Sequence, residues 1–267
     1  MLIIDRLRRG AAALASFPKG WPIVTETPDY PYYAGEPTLL GARQWLILMA
    51  ALALGFAGLV LIPLGTFPLD LVPALLFLGI PLLALRWVAG PHWAALFRPV
   101  GFRQVGQMVL FAVLTLAGSM AVALILKQFV SFSDNPVSLQ VGEMTALELA
   151  GRLIPTIPQL IGEELFGILP FLAVLWLCIT RLGLSRRTGI AIALVISALI
   201  FGAAHLPTYD WNFGQALIGI GSARIFLTLA FIATRNLWVS SGAHILNDWT
   251  GFLFAFALGH APIDTES

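Results

Sequence analysis

The chain has 267 residues, 58% of them hydrophobic and 11% charged, with a mean hydropathy of +0.88. Soluble domains carry about 25% charged residues, so this composition excludes an ordinary soluble domain and points to a membrane protein. The net charge of +1 offers no basic surface for nucleic acid.

Leu2 to Phe17 has the pattern of a short amphipathic helix, with Arg6, Arg8 and Arg9 suited to an anionic membrane surface; a loosely ordered cytoplasmic tail is the alternative. Met1 to Arg9 is short and charged, and Pro18 and Pro22 follow soon after. Membrane entry is therefore expected from internal spans rather than from a cleavable signal peptide. Lys19 to Pro37 holds four prolines and reads as irregular and extended. Its tyrosines, Tyr30, Tyr32 and Tyr33, read as an interfacial anchor.

A helix needs about 20 apolar residues to cross a bilayer. Seven such spans are expected, at about Gln44–Leu64, Leu69–Val88, Val105–Leu126, Ile157–Leu182, Thr188–Leu206, Gln215–Ala233 and Trp238–Leu258. The fold class is thus all-α and polytopic, with a polar segment at 1–42 and a transmembrane domain at 43–267. Thr145 to Leu153 reads as a separate short interfacial helix. With seven spans and a cytoplasmic N-terminus, Arg6, Arg8, Arg9, Lys19, Arg43, Arg86, Arg98, Arg103, Arg181, Arg186, Arg187 and Arg235 fall inside. Only Lys127 and Arg152 fall outside, and Arg224 lies within span 6. That bias supports N-in, C-out. Cys178, the one cysteine, is expected to pack as a small buried hydrophobe.

Three groups of ionisable residues interrupt these apolar runs. Glu163 and Glu164 are adjacent in span 4. A charge at the bilayer centre costs about 2.5–3.5 kcal/mol on insertion scales, so a carboxylate pair there needs a purpose. Pro155 and Pro158 place the helix start near Ile157, with Glu163 about 8 Å along it. An interfacial cap open to water is the structural alternative. In Phe201-Gly-Ala-Ala-His205 the first and last residues share a helix face, and the small residues between admit a close neighbour. Alone, His205 reads better as an interfacial histidine satisfied by water. His244 and Asp248 are four apart in span 7, which also fits a buried pair tying two helices together. Three such groups in one chain favour a shared polar cavity. By these limits Glu163 and His205 lie toward the outer end of the bundle and His244 toward the inner end.

The order Glu-Glu, Phe-x-x-x-His and His-x-x-x-Asn/Asp, each in its own apolar helix, resembles the CPBP family over about Pro155–Phe256. That family comprises the type II CAAX prenyl endopeptidases and bacterial relatives linked to bacteriocin processing and immunity. Thr234-Arg-Asn-Leu-Trp238 resembles the family's lead into its last motif. The resemblance implies that Glu163 and His205 activate a water for attack on a peptide carbonyl, that His244 and Asp248 stabilise the oxyanion, and that Glu164 supports the site. A desolvated glutamate can serve as general base, and imidazole donors can stabilise a tetrahedral intermediate.

Two positions depart from the pattern. The first motif usually reads Glu-Glu-x-x-x-Arg, and here Ile168 stands at its end. Arg224 is a candidate replacement; pairing with a backbone carbonyl is the other reading of it. A charged Asp248 repels an oxyanion, so it would act protonated or by orienting His244. Zinc held by Glu163, His205 and His244 with a water is one reading, and metal-free glutamate catalysis the other. The implied function is an intramembrane endopeptidase acting on a membrane-associated peptide or protein, in the lipid bilayer of a bacterial inner membrane. The alternatives are a non-catalytic scaffold or bacteriocin immunity factor of the same fold, and a proton-coupled transporter using Glu163, Glu164 and Asp248 as a relay.

Overall fold

The computed structural model describes residues 29–261. Among them every regular element is helical. The amphipathic helix expected at Leu2 to Phe17 lies outside the described residues.

The helices are α1 (Ala42–Leu61), α2 (Leu71–Ala89), α3 (Phe102–Leu126), α4 (Pro136–Glu143), α5 (Ala146–Trp176), α6 (Arg186–Ala204), α7 (Gly221–Thr234) and α8 (Leu237–Gly259). A wider π-turn, Leu177–Arg181, extends α5, and another, Gly214–Ile220, leads into α7. With these extensions, α1, α2, α3, α5, α6 and α7 are long and apolar enough to span a membrane. The chain is a multi-pass integral membrane protein. Helix α8 has the length of a seventh span at 23 residues, but Ser240, Ser241, His244, Asn247 and Asp248 make it more polar than the six.

Helix α5 is the axis of the bundle. Two-thirds of its apolar window is buried, at 67%, against 17–39% for the other spans. It packs on α2, α6 and α8, with α1 and α7 also touching it. The lipid-facing residues sit on the outer helices, above all α3, where Phe102, Leu124 and Ile125 are exposed.

The start of α5 differs from the sequence-based expectation. The helix begins at Ala146 and runs unbroken through Pro155, Pro158 and Pro170; residues 146–153 are its first turns, not a separate interfacial helix. Thr145 and Glu148 form a capping box, the Thr145 amide donating to the Glu148 carboxylate at 2.8 Å and the Glu148 amide to Thr145 Oγ1 at 3.3 Å. Pro155 and Pro158 remove the amide donors of the Gly151 and Ile154 carbonyls. Between them, Thr156 Oγ1 donates to the Leu153 carbonyl at 2.6 Å and accepts from the Trp249 indole of α8 at 2.9 Å, which ties this stretch to α8. Glu163 consequently sits about 26 Å along the helix at 1.5 Å per residue, in its middle rather than near its start.

The tyrosines are also not an interfacial anchor. Tyr30, Tyr32 and Tyr33 are buried in the main hydrophobic core. Tyr30 meets Phe171 of α5 edge-on and stacks on Phe231 of α7. The Tyr32 hydroxyl lies 2.8 Å from both the His92 and Trp93 carbonyls. Asp29 pairs with Arg186 at 2.6 Å and accepts a hydrogen bond from Tyr33. The described part of this segment is irregular, as expected, but it plugs one end of the bundle. Cys178 is buried and free, in line with its expected packing role.

Candidate active site

The central carboxylate is Glu164, fully buried on α5. Arg224 of α7, also fully buried, reaches it with both guanidinium arms: Nη1 donates to Oε1 at 2.6 Å and Nη2 to Oε2 at 2.9 Å. Its remaining donor, Nε, goes to Thr228 Oγ1 at 3.1 Å. This bidentate geometry is the strong form of an arginine–carboxylate pair. It resolves the sequence alternatives for Arg224 in favour of the cation that position 168 lacks. Ile168 itself is buried in the apolar core.

Gly167 makes room for that pair. A Cβ at this position would lie 2.8 Å from Arg224 Cζ and 2.9 Å from Nε and Nη1, so the guanidinium rests directly on the α5 backbone. The Phe201 ring covers Arg224, with Cζ 5.3 Å from its centroid, a cation–π distance.

His244 joins from α8. Its Nδ1 donates to Glu164 Oε1 at 2.9 Å, which fixes the ring and turns Nε2 toward two further carboxylates. Nε2 lies 3.8 Å from Glu163 Oε2 and 3.7 Å from Asp248 Oδ1. Both gaps exceed a direct hydrogen bond and suit a polar atom placed between the groups. Glu163 is held from its other side, where Gln159 Nε2 donates to Oε1 at 2.9 Å. Glu163 and Asp248 are partly open, their side chains 14% and 28% exposed, whereas Glu164 is sealed. Asn247 donates to Asp248 Oδ1 at 2.9 Å.

Glu163, Glu164, His244 and Asp248 therefore converge. The inner–outer offset expected between Glu163 and His244 is absent, because α5 starts eleven residues earlier than the prolines suggested and Glu163 reaches the bundle's middle. His205 stands apart from this convergence. It lies just past the end of α6, and Nδ1 donates to the Phe201 carbonyl at 2.8 Å. Its ring sits 4.7 Å from that of Phe201, which in turn lies 6.4 Å from the His244 ring. Among the described residues it makes no hydrogen bond or ion pair with either glutamate. Among the described residues no group of three His, Cys, Asp or Glu side chains stands close enough together to hold a metal ion.

Residues 146–250 match the family model of the Rce1-like type II CAAX prenyl endopeptidases. This segment is an Rce1-like domain. It covers under half of the chain and contains all five candidate residues, and it bears out the resemblance to the CPBP family. At family level the Rce1-like domain marks an intramembrane protease. Comparisons with curated proteins and with solved structures gave no match.

Three residues near the Rce1-like centre had escaped the motif reading. Gln159 lies one turn before Glu163 on the same face of α5, a spacing visible in the sequence. Gly167 carried no signal, because its role depends on a helix 57 residues away. Tyr209, in the turn between α6 and α7, is buried and accepts a hydrogen bond from Asn135 Nδ2 at 3.2 Å. Burial pushes the Tyr209 phenol up, and the Asp248 and Glu163 carboxylates push it the same way against the hydrogen bond from Asn135. The phenol stays protonated at neutral pH, facing the same carboxylates as His244.

Proposed function

We propose that the chain is an intramembrane endopeptidase that hydrolyses a peptide bond of a membrane-associated substrate, with Glu163 as the general base. The observation that carries this is the unequal treatment of the two glutamates. Glu164 has both oxygens committed to Arg224 and His244. Glu163 has one oxygen held by Gln159 and the other open beside His244.

In the proposed reaction, Glu163 Oε2 takes a proton from a water as the water oxygen bonds to the peptide carbonyl carbon. The oxyanion is stabilised by His244 Nε2–H; His244 is doubly protonated in this step, its Nδ1–H remaining on Glu164. Asp248 Oδ1 lies 3.7 Å from the same Nε2, and its carboxylate attracts the imidazolium that faces the oxyanion. Glu163 then passes its proton to the amide nitrogen, the C–N bond breaks, and a carboxylic acid and an amine leave. Preorganised donors in a water-poor site are the largest source of rate in such reactions. His205, on the far side of Phe201, lends its Nε2 to substrate positioning.

The same proposal keeps the N-terminus cytoplasmic in a bacterial inner membrane, on the Lys/Arg bias. Prenylated substrates follow only from the family's name. The alternative of a non-catalytic scaffold or immunity factor drew its support from Ile168, and Arg224 supplies the cation whose loss that reading required.

The test is cleavage of a membrane-peptide panel by the purified, detergent-solubilised chain beside Glu163→Ala and His205→Ala, with and without chelator. Loss of cleavage in Glu163→Ala is expected, with a smaller loss in His205→Ala and no effect of chelator. A wild-type chain that cleaves nothing in the panel moves the scaffold reading ahead.

A further inference from the structure

Two adjoining cavities open beside the first half of α5. The larger, about 530 Å³, lies between the α1–α2 loop, α4 and the first turns of α5. The smaller, about 280 Å³, continues along α5 past Arg152 and Pro155 to Gln159. They share Gly65, Asp70 and Arg152 as walls. Gln159 is the residue that holds Glu163. Residues 152, 155, 159 and 163 recur at helical spacing, so one face of α5 forms a continuous floor from the larger cavity to the proposed base.

The walls are unusual where the cavities meet. Asp70 is only 7% exposed, yet its Oδ1 has no hydrogen-bond partner, and neither has the buried Nε of Arg152. The two side chains touch only at 3.8 Å, through Oδ2 and Nη1. Buried polar groups are nearly always satisfied, so an acceptor and a donor left open side by side point to a ligand that carries both. A peptide unit carries one N–H and one C=O. Three carboxylates, Asp70, Glu143 and Glu148, face one guanidinium in the larger cavity, while Phe67, Met144 and Leu147 supply its apolar wall.

We propose that this cleft binds an extended stretch of the substrate chain, with a peptide N–H on Asp70, a peptide C=O on Arg152, and a basic side chain toward Glu143 and Glu148. The inference rests on the endopeptidase reading of Glu163. Arg152 and Glu163 are eleven residues apart on α5, about 16 Å. An extended chain covers about 3.3 Å per residue, so the bound stretch lies about five residues from the scissile bond.

The probe is a fluorescein-labelled apolar decapeptide carrying two lysines near one end, beside its twin carrying two glutamates. Binding to the full chain in nanodiscs is read by fluorescence anisotropy, without reference to cleavage. The lysine peptide is expected to bind about tenfold more tightly than the glutamate peptide. Gly151→Leu projects into the larger cavity, since a Cβ at that position already meets Phe67 at 3.5 Å, and is expected to abolish binding of both. Glu143→Gln with Glu148→Gln keeps the capping box, which accepts glutamine; it should retain binding and lose the preference. The inference is overturned by any of three results: no binding to the wild type, binding indifferent to Gly151→Leu, or equal displacement of the peptide by a choline-headgroup lipid. A chain that binds through the cleft but cleaves nothing removes the endopeptidase reading and leaves the cleft. Cleavage that needs Glu163 but ignores Gly151→Leu does the reverse.

Discussion

Arg224 holds Glu164 through both carboxylate oxygens, at 2.6 and 2.9 Å, with neither side chain exposed to solvent. The pair joins α7 to α5 across 60 residues of sequence and sets the height at which His244 meets the site. A buried ion pair is weak evidence for stability as such, because desolvation offsets much of the attraction. Its consequence is felt when one partner is removed.

Arg224→Met should destabilise the chain by about 3–5 kcal/mol, the usual result of stranding one buried charge. Arg224→Met with Glu164→Leu should recover most of that loss while leaving the chain inactive, since His244 Nδ1 then has no carboxylate. Thermal unfolding of both variants in one detergent measures this. A single variant no less stable than the double would mean that the pair is not buried as described.

Gly167 is the one position on α5 where the guanidinium can lie against backbone. Gly167→Ala puts a Cβ 2.8 Å from Arg224 Cζ, closer than real Cβ atoms come. The guanidinium must move, at a cost of about 1–3 kcal/mol for an overpacked site. Alanine favours a helix over glycine by up to about 1 kcal/mol, so a net loss of stability would show that the steric effect wins. Cleavage should fall with stability, and an unchanged melting temperature would sink the packing account.

Much of this was legible in the sequence because the bilayer imposes a simple rule. Long apolar runs gave the spans, and charged residues inside them gave Glu163, Glu164, His244 and Asp248. The start of α5 was misread because prolines ordinarily end helices, whereas here the stretch is fastened to α8 through Thr156 and Trp249, a contact between distant parts of the chain. Tyr30, Tyr32 and Tyr33 were misread for a similar reason: an aromatic near a polar segment suits either an interface or a plug, and only Phe171 and Phe231 decide between them. Arg224 was visible as an anomaly in an apolar helix, but its partner was not. The distance between His205 and the glutamates depends on where α6 ends, and helix ends are the least sequence-determined feature of a bundle.

The plug carries its own pH dependence. Burial pushes the Asp29 carboxyl up, but the hydrogen bonds from Arg186, Tyr33 and the Tyr30 amide, with the Arg186 charge, outweigh it and hold the group below its ordinary value. A depressed carboxylate contributes stability above its unfolded pKa of about 3.9 and loses it as pH falls through the folded value. The side chains are 38% and 45% exposed, so solvent screening keeps the contribution to at most about 1 kcal/mol. Asp29→Asn should lower the melting temperature slightly at pH 7, and the difference should shrink steadily as pH falls below the ordinary carboxylate value. A difference that does not shrink with pH assigns the effect to packing of the tyrosines instead.

The two adjacent glutamates should part company under the same substitution. Glu163→Gln keeps a side chain of the same shape within reach of Gln159 and removes only the basic oxygen beside His244. It should leave the melting temperature near wild type and reduce kcat by two orders of magnitude or more, about what loss of a general base costs. Glu164→Gln removes the charge that Arg224 grips with two arms and that fixes the His244 ring. It should lower the melting temperature and activity together, because among the described residues Arg224 forms an ion pair with no other carboxylate. Measuring both variants for unfolding and for single-turnover cleavage separates the roles. If Glu164→Gln instead keeps its fold and loses only activity, the base is Glu164, and Glu163 is the supporting residue.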